Sequence, residues 1–292
     1  MQPDIMLSAA LAKPRPVYPG RCGLALLWLW LAGGLALAAA KATGVLWVVW
    51  PLWWWLIGLA AAVTIGVRFA QTGVFARPLL RVSAAKGRLA LTFDDGPHPR
   101  HTRQILDLLD ACGQRATFFV VGDKVAHYPE VAREIVARGH GIANHSLRHQ
   151  PWTPMLPARM LATELVTANT LIFRHTGVKP TFFRAPVGLI SPPVAAAALR
   201  AGLQLVHWSG TARDGLAWAQ PQACLERLRK ATVAGAILVL HDGVGVDDCI
   251  AVRILPQLLA DMAALGLQSV RLDELVAAPT EQPARAESPF PA

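Results

Sequence analysis

The sequence predicts an α/β domain with parallel strands, preceded by two transmembrane helices. Within residues 86–276, short runs rich in β-branched and aromatic residues alternate with stretches of helical periodicity, which is typical of parallel strands joined by helices. Before this region lie two long apolar runs without a charged residue. The alternation predicts an α/β barrel or an open sheet, and the apolar runs predict membrane insertion.

The two apolar runs, 23–40 and 45–66, contain 18 and 22 residues and include seven of the ten tryptophans. Each can cross the roughly 30 Å of hydrocarbon in a bilayer at about 1.5 Å per residue, and the short connection between them favours a helical hairpin. Tryptophan is common at the membrane interface. Two other interpretations stay open: a pair of buried core helices, or a cleavable signal peptide in the first run.

Positive charge is concentrated around the apolar runs. Residues 1–88 contain nine Lys/Arg and one acidic residue, whereas residues 89–292 contain 19 basic and 18 acidic residues. The near-neutral second part argues against a nucleic-acid binder, which would carry its basic patch on the folded domain. We therefore expect a multi-pass protein of the cytoplasmic (inner) membrane with the lipid bilayer as a partner. The charge bias favours the cytoplasmic side for the α/β domain.

The pattern divides the chain into five parts. The terminal parts are polar or rich in Pro, Ala and Glu without periodicity, so both are predicted to be disordered. The parts are a disordered tail at 1–20, two transmembrane helices within 21–66, a juxtamembrane linker at 67–85, the α/β domain at 86–276 and a second disordered tail at 277–292.

Seven strands and six helices are predicted within the α/β domain. The strands are expected at 88–93, 116–121, 140–144, 181–184, 203–208, 235–240 and 268–271. The helices are expected at 101–112, 129–138, 157–176, 192–201, 220–232 and 250–265. Active sites of such folds lie at the carboxyl ends of the strands, so the polar residues at these ends are the candidates for function.

Reactive side chains follow five of these strands. They are Asp94 and Asp95 after the first, His145 and His149 after the third, Arg184 after the fourth, Trp208 and Asp214 after the fifth, and His241 after the sixth. A single signal of this kind is weak. Five of them at the ends of parallel strands point to one site.

His145 and His149 are spaced to place two imidazoles one helical turn apart, where both can bind one ion. The carboxylate of Asp95 would complete a site with two histidines and one aspartate. Three protein ligands leave one position open for water, which is the pattern of a catalytic metal rather than a structural one. The alternative interpretation is a pair of surface histidines.

The adjacent carboxylates of Asp94 and Asp95 would repel each other without a nearby cation. A metal at Asp95 and the guanidinium of Arg184 would remove that repulsion, whereas the alternative interpretation is a simple turn. With His241, these residues supply what metal-assisted amide hydrolysis needs. It needs a cation that polarises the carbonyl and activates water, a base for the water proton, and an acid for the leaving amine.

Residues 86–276 resemble the NodB-type polysaccharide deacetylases, carbohydrate esterase family 4, in the order of five motifs. The motifs are Thr92-Phe-Asp-Asp-Gly-Pro97, His145-Ser-Leu-Arg-His149, Arg184-Ala-Pro-Val-Gly188, Thr211-Ala-Arg-Asp214-Gly215 and Leu238-Val-Leu-His-Asp-Gly243. The resemblance implies a distorted (β/α) barrel of the NodB-homology type. It also implies a divalent metal, with Zn²⁺ as the first candidate.

The resemblance further implies a role for each motif residue. These are Asp94 as general base, Asp95, His145 and His149 as metal ligands, Arg184 as the residue that holds the base, His241 as general acid, and Leu240 as part of the pocket for the acyl methyl group. We expect Pro186 and Trp208 to line the same pocket. We expect Asp214 to support Arg184 or His241.

Two motifs depart from the family pattern. Val187 stands where the third motif usually has an aromatic residue, and Gly215 follows Asp214 in a fourth motif that lacks its usual tryptophan. The missing ring should open one wall of the groove. Arg213 could occupy that space and suit a substrate that carries phosphate, although a plain surface arginine is the simpler interpretation.

The expected function is metal-dependent removal of N-acetyl groups, or of O-acetyl or other small acyl groups, from an amino-sugar envelope polysaccharide or a polyprenyl-linked glycan. A lipid carrier suits the predicted membrane helices. The family is often exported, which opposes the charge bias. The alternative function is a non-catalytic carbohydrate-binding or scaffold protein on the same fold. A serine hydrolase is disfavoured because the sequence has no G-x-S-x-G motif.

Overall fold

The computed structural model describes residues 28–35, 38, 49–68, 72–83, 85–245 and 248–277. The strands are β1 (Arg88–Gly96), β2 (Ala116–Val120), β3 (Gly141–Asn144), β4 (Phe182–Phe183), β5 (Gln204–Leu205), β6 (Gly210–Thr211), β7 (Ile237–His241) and β8 (Gln268–Ser269). The labelled helices are α1 (Val49–Arg68), α2 (His101–Ala111), α3 (Gly122–His127), α4 (Pro129–Ala137), α5 (Ala158–Thr176), α6 (Pro192–Arg200), α7 (Pro221–Ala231), α8 (Ile250–Ala264) and α9 (Leu272–Ala277). The two predicted tails lie outside the described residues, apart from Ala277.

The strands pair in parallel, as the alternation of strands and helices predicts. Their order is β5-β4-β3-β2-β1-β7-β6, and β8 pairs with the first residues of β1. Among these strands, β5 and β6 end the sheet and do not pair with each other. The predicted α/β class is therefore confirmed, in the form of a curled half-barrel.

Residues 79–82 lie between the two sides of this open sheet. Leu79 pairs with Val206 just beyond β5, and Arg81 pairs with Ala236 just before β7. Ala76 is buried in a hydrophobic cluster to which α6 contributes. Where it is described, the stretch predicted as a linker thus packs against the α/β domain.

The strand β1 is the centre of the core and carries the first motif. Leu89, Leu91 and Phe93 belong to one hydrophobic cluster, whereas Ala90 belongs to another together with Phe119 of β2. Alternate side chains therefore face two different hydrophobic clusters, as the geometry of a strand requires. The first cluster includes residues of the surrounding helices, whereas the second consists mainly of residues from the other strands. Because both faces of β1 are buried, its sequence is nearly continuously apolar up to Asp94 and Asp95.

The six helices predicted for the domain are present, and each end lies within one residue of its predicted position. Three short elements are not predicted by the sequence: β6, α3 and α9. Segments of two or six residues contain too little of a period to be recognised. Two of them matter for the site, because β6 leads into the altered fourth motif and α3 contacts the first one.

The prediction of a multi-pass membrane protein is wrong. Across the part of the chain that the structure describes, no helix combines the length and apolar character needed to cross a bilayer. The second apolar run forms α1, and the first is described only at 28–35 and 38, where it is helical. The prediction relied on the absence of charge, but crossing hydrocarbon requires about 20 strongly apolar residues in one helix. The predicted transmembrane hairpin is therefore not supported.

The hydroxyl of Ser269 joins β8 to its neighbours and provides a test of the fold. Its Oγ donates to the backbone oxygen of Arg115 at 2.7 Å and accepts from the backbone N–H of Leu91 at 3.0 Å. Ser269→Ala leaves the buried N–H of Leu91 and the partly buried backbone oxygen of Arg115 without this partner. We expect the free energy of unfolding in urea to fall by about 1–3 kcal/mol. The exposed Ser83→Ala is the control, and an equally small effect of both variants would contradict the assignment.

Candidate metal and catalytic site

The carboxyl ends of the parallel strands bring the three predicted metal ligands together. Oδ1 of Asp95 lies 3.2 Å from Nε2 of His145 and 3.1 Å from Nε2 of His149. One ligand atom from each of these residues lies within 4.8 Å of the other two. The structure therefore contains the candidate metal site that the sequence predicts.

The chemistry of these side chains fits a divalent metal ion. Oδ1 of Asp95 is buried and has no hydrogen-bond partner among the described residues. Nδ1 of His145 lies 2.8 Å from the backbone oxygen of Arg184, which can only accept, so Nδ1 carries the proton and Nε2 keeps its lone pair. Burial, and then the imidazole of His145, lower the pKa of His149. The lowered pKa suits His149 to bind a metal as a neutral ligand, and the hydrogen bond at Nδ1 leaves Nε2 of His145 to face the same point.

The two histidines do not lie on a helix, so the prediction of a helical turn between them is wrong. They lie in the loop after β3, where Ser146 and His149 have φ angles of 71° and 53°. Asn144 Oδ1 accepts from the N–H of Ser146 at 2.7 Å, and Ser146 Oγ accepts from the N–H of His149 at 3.0 Å. These side-chain bonds hold the left-handed turn and bring the two rings to a centroid distance of 4.9 Å.

Asp94 lies between a buried arginine and the metal ligands. Its Oδ1 accepts from Nη1 of Arg184 at 2.6 Å, and its Oδ2 lies 4.0 Å from Nε2 of His145. Nη1 also donates to Thr92 Oγ1 at 2.8 Å, and Nη2 donates to the backbone oxygen of His207 at 3.0 Å. Burial lowers the pKa of Arg184, while the charge of Asp94 opposes that change. The arginine therefore holds Asp94 in the way the resemblance implies.

Asp214 contacts His241 and holds it with both carboxylate oxygens. Nδ1 of His241 lies 2.8 Å from Oδ1 of Asp214, and the N–H of His241 donates to Oδ2 at 2.8 Å. Burial would lower the pKa of His241, but the hydrogen bond and charge of Asp214, with the charges of Asp94 and Asp95, raise it to about 9. His241 therefore carries a proton at neutral pH.

The site opens into a cleft of about 850 Å³. The predicted site residues that line it are Asp94, Asp95, His145, His149, Trp208 and His241. Leu240 and Pro186 are buried and are not among the described residues that line the cleft, so their place in an acyl pocket stays a prediction. The ring of Trp208 stacks on His207 at a centroid distance of 3.8 Å.

Residues of both altered motifs line the same cleft. A Cβ atom on Gly215 would lie 3.6 Å from the ring of His241, in ordinary contact, so the glycine leaves that part of the imidazole uncovered. Val187 and Arg213 both adopt a φ of 57°, which is unusual for a non-glycine residue and most unusual for a β-branched valine. Val187 is exposed at the edge of the cleft and is smaller than the aromatic ring that the family usually has at this position, so the cleft is more open on this side.

Lys124 connects the loops of Asp95 and Gly243 and is not identified by the sequence. Its Nζ donates to the backbone oxygen of Asp95 at 2.7 Å and to that of Gly243 at 3.0 Å. It therefore joins the loop of a candidate metal ligand to the loop that follows His241. The sequence holds no signal for this role, because the acceptors are backbone atoms and α3 is too short to be predicted.

Asp242 is the second residue that the sequence does not single out. It is fully buried, accepts a hydrogen bond from Thr102 Oγ1, and donates its N–H to the backbone oxygen of Asp94 at 3.1 Å. Burial raises the pKa of Asp242 to about 7. Its position directly after His241 is the signal that could have identified it.

Fold and site together define a class of protein. It is a parallel-stranded (β/α) protein whose strand ends carry an aspartate and two histidines suited to bind a metal. Beside them lie a second aspartate, which an arginine holds, and a third histidine, which another aspartate holds. This combination provides the groups that hydrolysis of an amide or ester requires.

Comparison with known proteins identifies the family. A family model for polysaccharide deacetylases matches residues 81–206. A chitooligosaccharide deacetylase from Bradyrhizobium sp. is 40% identical over 157 residues, which is 52% of this chain and 69% of that protein. A peptidoglycan-N-acetylglucosamine deacetylase from Bacillus cereus is 33% identical over 190 residues, 64% of this chain and 87% of that protein. The solved peptidoglycan deacetylase PdaC from Bacillus subtilis is 27% identical with a TM-score of 0.58, over 65% of this chain and 89% of that one.

The chain belongs to the polysaccharide deacetylase family, carbohydrate esterase family 4. The family predicted from the five motifs is therefore confirmed, and with it the class of carbohydrate deacetylase. Deacetylases of this family are metalloenzymes, in agreement with the candidate site at Asp95, His145 and His149.

The Asp214 carboxylate should control the protonation of His241. In Asp214→Asn we expect the pKa of His241 to fall from about 9 toward or below the 6.5 of free histidine, measured by NMR titration of the metal-free protein. Because folding raises the pKa of His241, the interaction of protonated His241 with Asp214 stabilises the folded wild-type protein fully below pH 6.5. This stabilisation is lost as the pH rises through about 9. The variant should therefore lose stability mainly at neutral and acidic pH. An unchanged pKa of His241 would show that Asp214 does not set it, and the exposed Asp273→Asn is the control.

Lys124 should hold Asp95 in position for the metal. Lys124→Met keeps most of the length of the side chain but removes the donor to two backbone oxygens. We expect the affinity for Zn²⁺, measured by competition with a chelating dye, to fall roughly 10- to 100-fold. The exposed Lys230→Met on α7 should bind Zn²⁺ like the wild type. Equal affinities of the two variants would show that Lys124 has no such role.

Proposed function

We propose that this protein is a metal-dependent deacetylase that removes N-acetyl groups from an amino-sugar glycan. The observation that carries the proposal is the convergence of the Asp95, His145 and His149 cluster with Asp94 and His241 in one cleft. Zn²⁺ is the first candidate for the metal, because one carboxylate and two imidazoles are ligands that zinc prefers in catalytic sites. When bound, the ion would polarise the acetyl carbonyl and make water more acidic.

Asp94 is the proposed general base. Its Oδ1 is held by Arg184, so Oδ2, which lies on the side of His145, is the oxygen that can accept a proton from water. The ion pair with Arg184 fixes the direction of the carboxylate. A base fixed in this way does not have to reorganise during the reaction.

His241 is the proposed general acid. Its raised pKa keeps it protonated at neutral pH, and its Nδ1 is engaged by Asp214, so Nε2 is the nitrogen left to donate to the departing amine. Proton donation lets the C–N bond break without releasing an amide anion. A base and an acid with different environments are thus present in the same cleft.

The related proteins support an N-acetylglucosamine polymer as the substrate, because they are named for chitooligosaccharide and for peptidoglycan N-acetylglucosamine. The expectation of a polyprenyl-linked glycan depended on transmembrane helices and loses that support. The alternative of a non-catalytic binding protein is disfavoured, because a protein that only binds has no need of a held base, a held acid and three ligands.

Two substitutions separate the base from the metal. Asp94→Asn should lower kcat for acetate release from chitotetraose by roughly 10²- to 10⁴-fold while Zn²⁺ stays bound, because the amide accepts no proton. His145→Ala should lose both activity and Zn²⁺ binding. Acetate release and metal content are measured on the same samples. The exposed Asp107→Asn on α2 is the control, and near-wild-type activity of Asp94→Asn would refute the proposed base.

A further inference from the structure

The cleft carries two arginines for which the described fold offers no carboxylate. Arg213 in the altered fourth motif and Arg227 on α7 both line it. Across the described ranges, neither guanidinium forms an ion pair. Arg227 donates to neutral acceptors, the backbone oxygen of Ala212 at 3.0 Å and Sγ of Cys224 at 3.8 Å. The positive charge of both side chains is therefore available to a ligand.

The acidic residues around these arginines are already engaged. Asp94 and Asp95 are the acidic residues that line the cleft in the described structure, and they face Arg184 and the two metal-site histidines. Asp214 follows Arg213 in the sequence, but both of its oxygens bond to His241. No acidic side chain of the described cleft is left to neutralise Arg213 or Arg227.

Both arginines are tied to the loop that supports the general acid. Arg213 directly precedes Asp214, and Arg227 bonds to the backbone of Ala212 in the same loop. Gly215, two residues after Arg213, leaves part of the His241 ring uncovered. A sugar chain that places its scissile amide beside His241 therefore passes close to two uncompensated cations.

We propose that Arg213 and Arg227 form a subsite for an oxyanion, so that the preferred substrate is a glycan with a carboxylate or phosphate group near the N-acetylated sugar. The proposal rests on the deacetylase function proposed above. A guanidinium donates paired hydrogen bonds to either oxyanion, and cations that line a cleft attract anionic substrates. Carboxylate and phosphate share this chemistry, and the test distinguishes them.

The test compares matched neutral and anionic substrates of the wild-type enzyme. The neutral probe is chitotetraose, and the phosphate probe is the same tetrasaccharide with one 6-phosphate. The carboxylate probes are peptidoglycan strands whose lactyl carboxyl group is free or amidated. If the subsite binds phosphate, we expect kcat/KM for acetate release to be about tenfold higher for the phosphorylated tetrasaccharide than for chitotetraose. If it binds carboxylate, we expect the same ratio between the free and the amidated peptidoglycan strands. This ratio should decline at high salt because the subsite is open to solvent.

Variants assign the preference to the arginines. Arg213→Gln, and independently Arg227→Gln, should bring the ratio of anionic to neutral kcat/KM close to one. Arg133→Gln, at an exposed position on α4 outside the cleft, is the matched control and should keep the wild-type ratio. Two separate variants keep the test valid if one of them disturbs the loop that carries Asp214.

Each outcome has a defined meaning. A preference for phosphate or for carboxylate that both variants abolish supports the subsite and identifies the group. Equal kcat/KM for neutral and anionic probes, or a preference that survives both substitutions, overturns it while the deacetylase function stands. Binding of the same probes is also measured by calorimetry. If no probe releases acetate, the proposed function fails, and the calorimetric ratio of anionic to neutral affinity still decides on the subsite.

Discussion

The buried ion pair between Arg184 and Asp94 is the constraint on which the rest of the site depends, because a fully buried guanidinium needs an opposite charge to compensate its own. Its hydrogen bonds to Thr92 on β1 and to the backbone of His207 after β5 require β1, β4 and β5 to meet at their carboxyl ends. The backbone oxygen of the same arginine receives Nδ1–H of His145. One residue after β4 thus fixes both the proposed base and the orientation of a proposed metal ligand.

Two of the three proposed metal ligands are held in unfavourable backbone conformations that their neighbours stabilise. Asp95 and His149 have φ angles of 72° and 53°, and each such residue costs about 1–3 kcal/mol. The bond from Lys124 to the backbone oxygen of Asp95 offsets part of this cost. Gly243 approaches the same oxygen so closely that a Cβ atom would lie 1.9 Å from it. The glycine after His241 and Asp242 is therefore required by the shape of the loop that presents Asp95.

The sequence predicts those parts of the fold whose signals are long or chemically dense. The sequence predicts helices with several turns, such as α5, because their periodicity extends over many residues. It predicts the strand β1 because an apolar run ends in two carboxylates. The loop that holds His145 and His149 is not predicted, because a spacing of four residues between two histidines occurs both in a helix and in a turn held by side-chain hydrogen bonds. Lys124 is not predicted, because its partners are backbone oxygens. The membrane prediction fails because the absence of charge in a run does not establish a helix able to cross a bilayer.

The environments of the histidines assign opposite tasks to the same side chain. A metal ligand needs a lone pair, and burial with a neighbouring imidazole lowers the pKa of His149, so that its neutral form prevails. An acid needs a proton, and although burial would lower the pKa of His241, the carboxylate of Asp214 outweighs it and raises the pKa to about 9. Because Asp214 pairs with His241 and not with His149, the lone pair of His149 and the proton of His241 coexist at neutral pH. The fold therefore gives the proposed ligand His149 and the proposed acid His241 different protonation states through burial and the placement of carboxylates, with Asp214 acting most strongly on His241.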